Sequence, residues 1–365
     1  MKKKNSLKLM IVGLLTVFGG LGVGEVANAE ASPISVNPIL PENQFNKEVS
    51  YYHLMMEPGE KQEIELQIFN SSDEERVALV TLTAATTNDN GLIDYNLPDK
   101  KVDKSLLYGF PTIASTPKEV KVPANKDVKT KISIKMPAES YDGMILGGIN
   151  VKAKKKVAKD QDKQSSGMKI ENEMNYAIGV VLVENEAPVK TNMELLKVSA
   201  SQIMGNNTTK ATLQNPTSVV MENVTIEAKI YKADNETVLY ETKKENYRMA
   251  PNSSFDFGIP IGNERYKAGD YRLKLVATSD PKSAKDGEKQ TWEFDEKFTI
   301  KRAEADKLNE SAVDLPTDYT LYYIGGAVIA LLVIGGIILL ISLRRKKQAQ
   351  IAAEKQARRR KKVRK

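Results

Sequence analysis

A chain of 365 residues with no cysteine and one histidine cannot build a disulfide framework, a Cys/His metal cluster or a Cys–His nucleophile pair. Its formal charge of +7 sits at the ends: of 54 Lys and Arg, 12 follow Leu343 and 4 lie in the first 29 residues, each group beside a single acid. The remaining 38 cations face 45 acids, so the body of the chain is acidic and nucleic acid is excluded as its partner.

Residues 1–29 read as a secretory signal peptide. Lys2, Lys3, Lys4 and Lys8 precede an uncharged apolar stretch, and Ala27-Asn28-Ala29 supplies the small residues of a cleavage site. From Pro33 to about Arg302 the pattern changes to short alternating runs separated by turn residues. Residues 63–69, 77–82 and 128–136 alternate polar and apolar as half-buried strands do, and Asn88-Asp89-Asn90-Gly91 is a strong turn signal. Residues 144–151 and 176–183 read as buried strands on either side of a polar loop at 152–167. Two accounts fit that loop. It is the tip of a long hairpin whose second strand completes the first sandwich, or the second domain begins inside it.

Further strands are expected at 194–199, 210–214, 224–231, 238–242, 255–259, 271–277 and 292–300. Such short strands at a spacing of ~8–12 residues predict β-sandwiches. Glu57-Pro58-Gly59-Glu60, Val122-Pro123-Ala124-Asn125 and Met249-Ala250-Pro251-Asn252 each precede an alternating run, which is turn chemistry leading into strands. After a polar stalk at 304–318, residues 319–343 carry no charge. At ~1.5 Å per residue this stretch reaches ~37 Å, enough for a ~30 Å hydrocarbon core. The cationic tail at 344–365 then marks the cytoplasmic side. Leu315-Pro316-Thr317-Asp318-Tyr319 departs from the LPxTG sorting pattern at its last two positions, so the anchor is expected to stay in the membrane.

The predicted fold is therefore all-β: two tandem immunoglobulin-like β-sandwich domains, at 33–155 and 165–303, plus one C-terminal transmembrane helix. The hairpin account extends the first domain to 186.

The search for chemistry finds little. His53 has no G-x-S-x-G serine to serve and reads as a strand-surface residue. Glu57, Asp94, Asp142 and Asp270 are dispersed among turns and polar strand positions, with nothing marking a catalytic pair. The run from Gly143 to Gly148 lacks the Lys-Ser/Thr of a phosphate loop. No metal and no cofactor is expected, and the chain reads as a binder rather than an enzyme. Thr87, Asn88, Asn90 and Tyr95 form one polar loop with an aromatic neighbour; Asn252, Ser253 and Phe255 form another. Their amides and hydroxyls suit sugar hydroxyls or peptide carbonyls; the first loop reads equally as a solvated turn, and the second reads more readily as one.

An ordered set of segments resembles the WxL-interacting proteins of Gram-positive bacteria. In the first half these are Ile34-Ser35-Val36-Asn37-Pro38-Ile39-Leu40-Pro41, the run from Ala84 to Tyr95, and Tyr141-Asp142-Gly143-Met144-Ile145-Leu146-Gly147-Gly148. Asn175-Tyr176-Ala177-Ile178, Leu213-Gln214-Asn215-Pro216, Met249-Ala250-Pro251-Asn252-Ser253 and Ala268-Gly269-Asp270-Tyr271 continue it. The resemblance implies a peptidoglycan-binding first domain, a second domain that binds host extracellular proteins, and association with WxL-domain surface proteins. The chain is not itself a WxL protein, since its one tryptophan lies in Trp292-Glu293-Phe294. The expected role is a surface scaffold anchored in the cell membrane with its ectodomain outside. The alternatives are a carboxylate-based peptidoglycan hydrolase and a single-pass sensor.

Overall fold

The structure is a computed structural model and describes residues 32–97, 101–155, 174–280, 289–313, 315–316 and 319–363. The expected signal peptide, most of the 152–167 loop and two positions of the Leu315–Tyr319 motif lie outside the described residues. By its internal contacts the chain divides into two compact units. One comprises Met1–Val198, Lys210–Gly258 and Arg272–Lys297, the other Ser199–Thr209, Ile259–Tyr271 and Phe298–Lys365.

The first sandwich is built from β1 (Ile34–Ile39), β2 (Tyr52–Met55), β3 (Lys61–Asn70), β4 (Arg76–Ala84) and the two-residue strands β5 (Thr86–Thr87) and β6 (Ile93–Asp94). It continues with β7 (Ala114–Ser115), β8 (Glu119–Val122), β9 (Asp127–Lys135), β10 (Met144–Ala153) and β11 (Asn175–Val183). Its sheets run β1-β3-β9-β7 and β2-β11-β10-β4-β8, with β5 and β6 pairing on their own. The second sandwich uses β12 (Glu194–Ile203), β13 (Asn206–Asn215), β14 (Met221–Lys232), β15 (Val238–Met249), β16 (Ser253–Pro260), β17 (Gly269–Ser279) and β18 (Gln290–Ile300). Its sheets run β12-β13-β16 and β15-β14-β17-β18.

The two sandwiches repeat one plan. Reading β1, β3 and β9 onto β12, β13 and β16 reproduces the first sheet. Reading β11, β10, β4 and β8 onto β18, β17, β14 and β15 reproduces the second. In this plan β11 closes the first sandwich as β18 closes the second. It pairs antiparallel with β10 from Met144↔Val183 to Lys152↔Asn175. The one strand of the first sandwich's larger sheet without a counterpart is β2, which lies parallel along the outer side of β11.

Alternation makes the cores. On β3, Ile64, Leu66 and Ile68 are at most 1% exposed while Glu63, Glu65 and Gln67 face outward. Each such apolar side chain contributes roughly 1.5–3 kcal/mol by leaving water. The three Pro-containing turns use one device. Gly59, Asn125 and Asn252 all adopt positive φ (74°, 53° and 47°) before β3, β9 and β16, a region that Gly and Asn enter at low cost.

A buried asparagine locks the equivalent corner in each sandwich. Asn70, at the end of β3, donates through Nδ2 to the carbonyls of Glu74, Val122 and Pro123, and its Oδ1 accepts from Ser72 N–H and Oγ. Asn215, at the end of β13, donates to Val219 and Ala250 and accepts from Thr217 N–H and Oγ1. Each side chain ties its own turn to the turn ahead of β9 or β16.

The segment expected as a polar stalk starts as a helix, Arg302–Ser311. Only Ala305 is buried on it, so the helix is held by polar contacts. Asn309 accepts from Tyr266 N–H at 2.8 Å, donates to the Tyr266 carbonyl at 2.9 Å and accepts from Asn207. Gln202 donates to the Leu308 carbonyl at 2.6 Å, and Val313 N–H donates to Gly205. A second helix, Thr320–Val363, is apolar and long enough to cross a membrane over its first half. It runs on through the cationic tail, where Arg, Lys, Gln, Ala and Glu are all strong helix formers.

Candidate functional site

The two polar loops singled out in the sequence meet, and they meet each other. All residues named in this paragraph belong to the first unit. Thr87 Oγ1 and Ser253 Oγ share a hydrogen bond of 2.6 Å, Ala250 N–H donates to Thr87, and Ser253 Oγ reaches the Ala250 carbonyl. Asn252 donates to the carbonyls of Ser105 and Pro216, and its Oδ1 faces the Tyr141 hydroxyl. Beneath them lies an apolar patch of Ala85, Leu146, Val181, Val183 and Ala250. Gly91 packs on the Tyr247 ring so closely that a Cβ there would overlap it. The rim is charged: Lys210 lies 3.3 Å from Asp256 and 3.9 Å from Asp89. This is a joint between the sandwiches.

Thr87 and Ser253 are 0% and 3% exposed, Asn252 7% and Phe255 3%. Asn88 caps its own turn, its Oδ1 accepting the N–H groups of Asn90 and Leu92. Asn90 is exposed, and Tyr95 is half-buried with its phenol pushed up by burial. In the same joint Asp103 is pushed up by burial but pulled down further by hydrogen bonds from Ser105, Ser254 and Gln214, and ends below its ordinary 3.8. His53 sits half-buried on β2 with its ring edge to Phe45; burial lowers its pKa, and its Nδ1 is buried without a partner.

A cleft of about 390 Å³ opens at one corner of the β1-β3-β9-β7 sheet, lined by Lys61, Gln62, Glu63, the segment 112–115, Ser133, Ile134 and Lys135. The outward face of β3 and β9 explains its character. Lys129 pairs with Glu65 at 3.3 Å and Lys131 with Glu63 at 2.8 Å, each a diagonal across the antiparallel register. Glu63 is diagonal to Lys135 as well, but is taken by Lys131, whose hydrogen bond and charge lower its pKa. At the last rung Lys61 stands directly opposite Lys135, with no carboxylate between them among the described residues. Like charges opposite one another destabilise a sheet pair, and both of these lysines are exposed to solvent. Thr112, Ser115, Ser133 and Gln62 add hydroxyl and amide groups, and no aromatic lines the cleft. Alternation shows Lys61 and Lys135 facing outward, but only the register puts them face to face.

Among the described residues no group of His, Asp and Glu is arranged to hold a metal ion. The described carboxylates with resolved shifts are all lowered, whereas a general acid needs one raised.

No curated protein matches the chain. Among solved structures it resembles the chaperone–tip adhesin complex of CFA/I fimbriae biogenesis, at 12% identity over 71% of this chain and 97% of that one, with a TM-score of 0.32. It also resembles the Salmonella enterica SafA pilin in complex with the SafB chaperone, at 10% identity over 75% and 99%, with a TM-score of 0.30. At these scores the likeness adds nothing to what the sheets show. Two family descriptions match in order: "WxL Interacting Protein, peptidoglycan binding domain" over residues 34–153 and "WxL Interacting Protein, host binding domain" over 165–310. The second match starts ahead of β11, although that strand pairs within the first sandwich. With both sandwiches matched in sequence order, the chain belongs to the WxL-interacting protein family.

Proposed function

We propose that this protein is a membrane-anchored scaffold of the cell surface. Its first sandwich attaches to peptidoglycan, its second holds WxL-domain proteins and host extracellular proteins, and the helix Thr320–Val363 crosses the membrane with the cationic tail inside. The observation that carries this reading is the order of the two family matches on two sandwiches, ahead of a helix apolar enough to span. Tethering supports it physically, because a second contact made by an anchored chain is intramolecular, and modest single affinities then suffice.

Peptidoglycan contact belongs, in this reading, to the cleft at Lys61 and Lys135. Stem peptides carry carboxylates that fit two unpaired ammonium groups, and the lack of an aromatic platform favours the peptide over the flat face of a sugar. Full-length protein in detergent should sediment with purified peptidoglycan. The Lys61→Gln/Lys135→Gln variant should bind about tenfold more weakly and lose salt sensitivity, while Lys129→Gln binds as the parent does. Equal binding by the double variant would remove the cleft from this account. Release of soluble muropeptides from the pellet would favour the hydrolase.

A further inference from the structure

Among the described residues, the internal repeat shows one edge filled in the first sandwich and bare in the second. Along the outer side of β11, β2 runs parallel, from Val180↔Tyr52 to Val183↔Met55. It sends Tyr52 and Leu54, both 0% exposed, into the core. With β2 in place, the inward residues Val180 and Leu182 of β11 are also 0% exposed. The equivalent strand of the second sandwich is β18, the last strand of its sheet. The stretch of chain that supplies β2 lies between β1 and β3; between the equivalent β12 and β13 there are only Met204 and Gly205, a tight turn with φ of 51° and 81°. No counterpart of β2 can form there. Accordingly, Trp292 and Phe294 on the inward side of β18 are only half-buried.

We propose that the outer edge of β18, over Thr291 to Lys297, accepts an extended segment of a protein partner as an added parallel strand. Edge backbone N–H and C=O groups supply the pairing, and alternate apolar side chains of the segment complete the cover over Trp292 and Phe294. The charge at the edge selects the occupant. Glu296 shares the face of Trp292 and Phe294 yet stays exposed, and Glu293 is exposed on the other face. Asp295, by contrast, is held by Arg272. A charge on the inner face of an edge strand repels indiscriminate pairing, so the fitting segment carries Lys or Arg opposite Glu296. This rests on the reading that the second domain holds a protein partner and specifies how it does so.

Trp292 is the only tryptophan of the chain, so its emission reports this edge alone. The test uses full-length protein in detergent and a synthetic peptide alternating valine with threonine around a central lysine. The expected result is a blue shift of Trp292 emission with slowed hydrogen exchange at alternate amides of β18. The same peptide with prolines, which lack N–H groups, should give neither. Glu296→Lys should weaken the lysine peptide about tenfold, and a central glutamate in the peptide should restore binding. The proposal is overturned by unchanged β18 exchange at saturating peptide, by an equal response to the proline peptide, or by a dimer that already protects β18. A purified WxL-domain protein separates the two readings. If it binds without displacing the peptide or shifting Trp292, the edge is not its dock and the scaffold reading stands. If the peptide adds to β18 but no WxL-domain protein binds, the edge stands and that partner falls.

Discussion

Thr87 shows how far a residue's type underdetermines its task. In the sequence it is a loop hydroxyl fit for a ligand; in the structure it accepts Ala250 N–H and pairs with Ser253 across the joint. Thr87→Val keeps the volume and leaves that buried N–H unsatisfied, which should cost roughly 1–3 kcal/mol in denaturant unfolding. His53 gives a pH dependence of known sign. Burial holds its native pKa below 6.5, so the unfolded chain takes up the proton first. Stability should be full above pH 6.5, fall as pH drops through the lower native value, and level off beneath it. Thermal unfolding between about pH 7.5 and 5.5 reads this slope, and His53→Gln should flatten it. Neither role was legible in the sequence: the Thr87–Ser253 contact joins residues far apart in the chain, and the environment of His53 depends on Phe45 and β2.

At the scale of elements, legibility followed the regularity of the outward face. Residues 63–69 lie within β3, and 128–136, which alternate in the same way, overrun the end of β9 by one residue. The four-residue β2 and β8 escaped because so short a run carries no period to distinguish it from a loop. The helix Arg302–Ser311 escaped because it buries only Ala305 and so has no apolar stripe. The turns at Asn70 and Asn215 were visible, but not that the asparagine side chains hold them. Asn215→Ala should remove both donated bonds, one of them to the buried Ala250 carbonyl, and cost roughly 2–4 kcal/mol in chemical denaturation, more than any loop substitution at the exposed Asn90.

For the whole molecule, the all-β plan and the family were legible because alternation and ordered segments survive without tertiary information. The joint and the cleft were not, since both depend on register and on contacts distant in sequence. The proposed membrane topology makes a direct prediction. Protease added to wall-stripped cells should digest the sandwiches and spare the tail after Leu343, detected by an antibody to each end; the reverse pattern would invert the protein. The tie between Asn309 and Tyr266 then has a mechanical meaning. Tension applied through the span reaches Val313 first and peels its bond to Gly205, then those of Asn309 and Gln202, one after another. Bonds loaded in series yield at low force, and the freed stretch from Arg302 to Val313 extends to about 40 Å at ~3.3–3.6 Å per residue. In the proposed membrane-anchored arrangement, slack of that kind would be taken up before any sheet bore load.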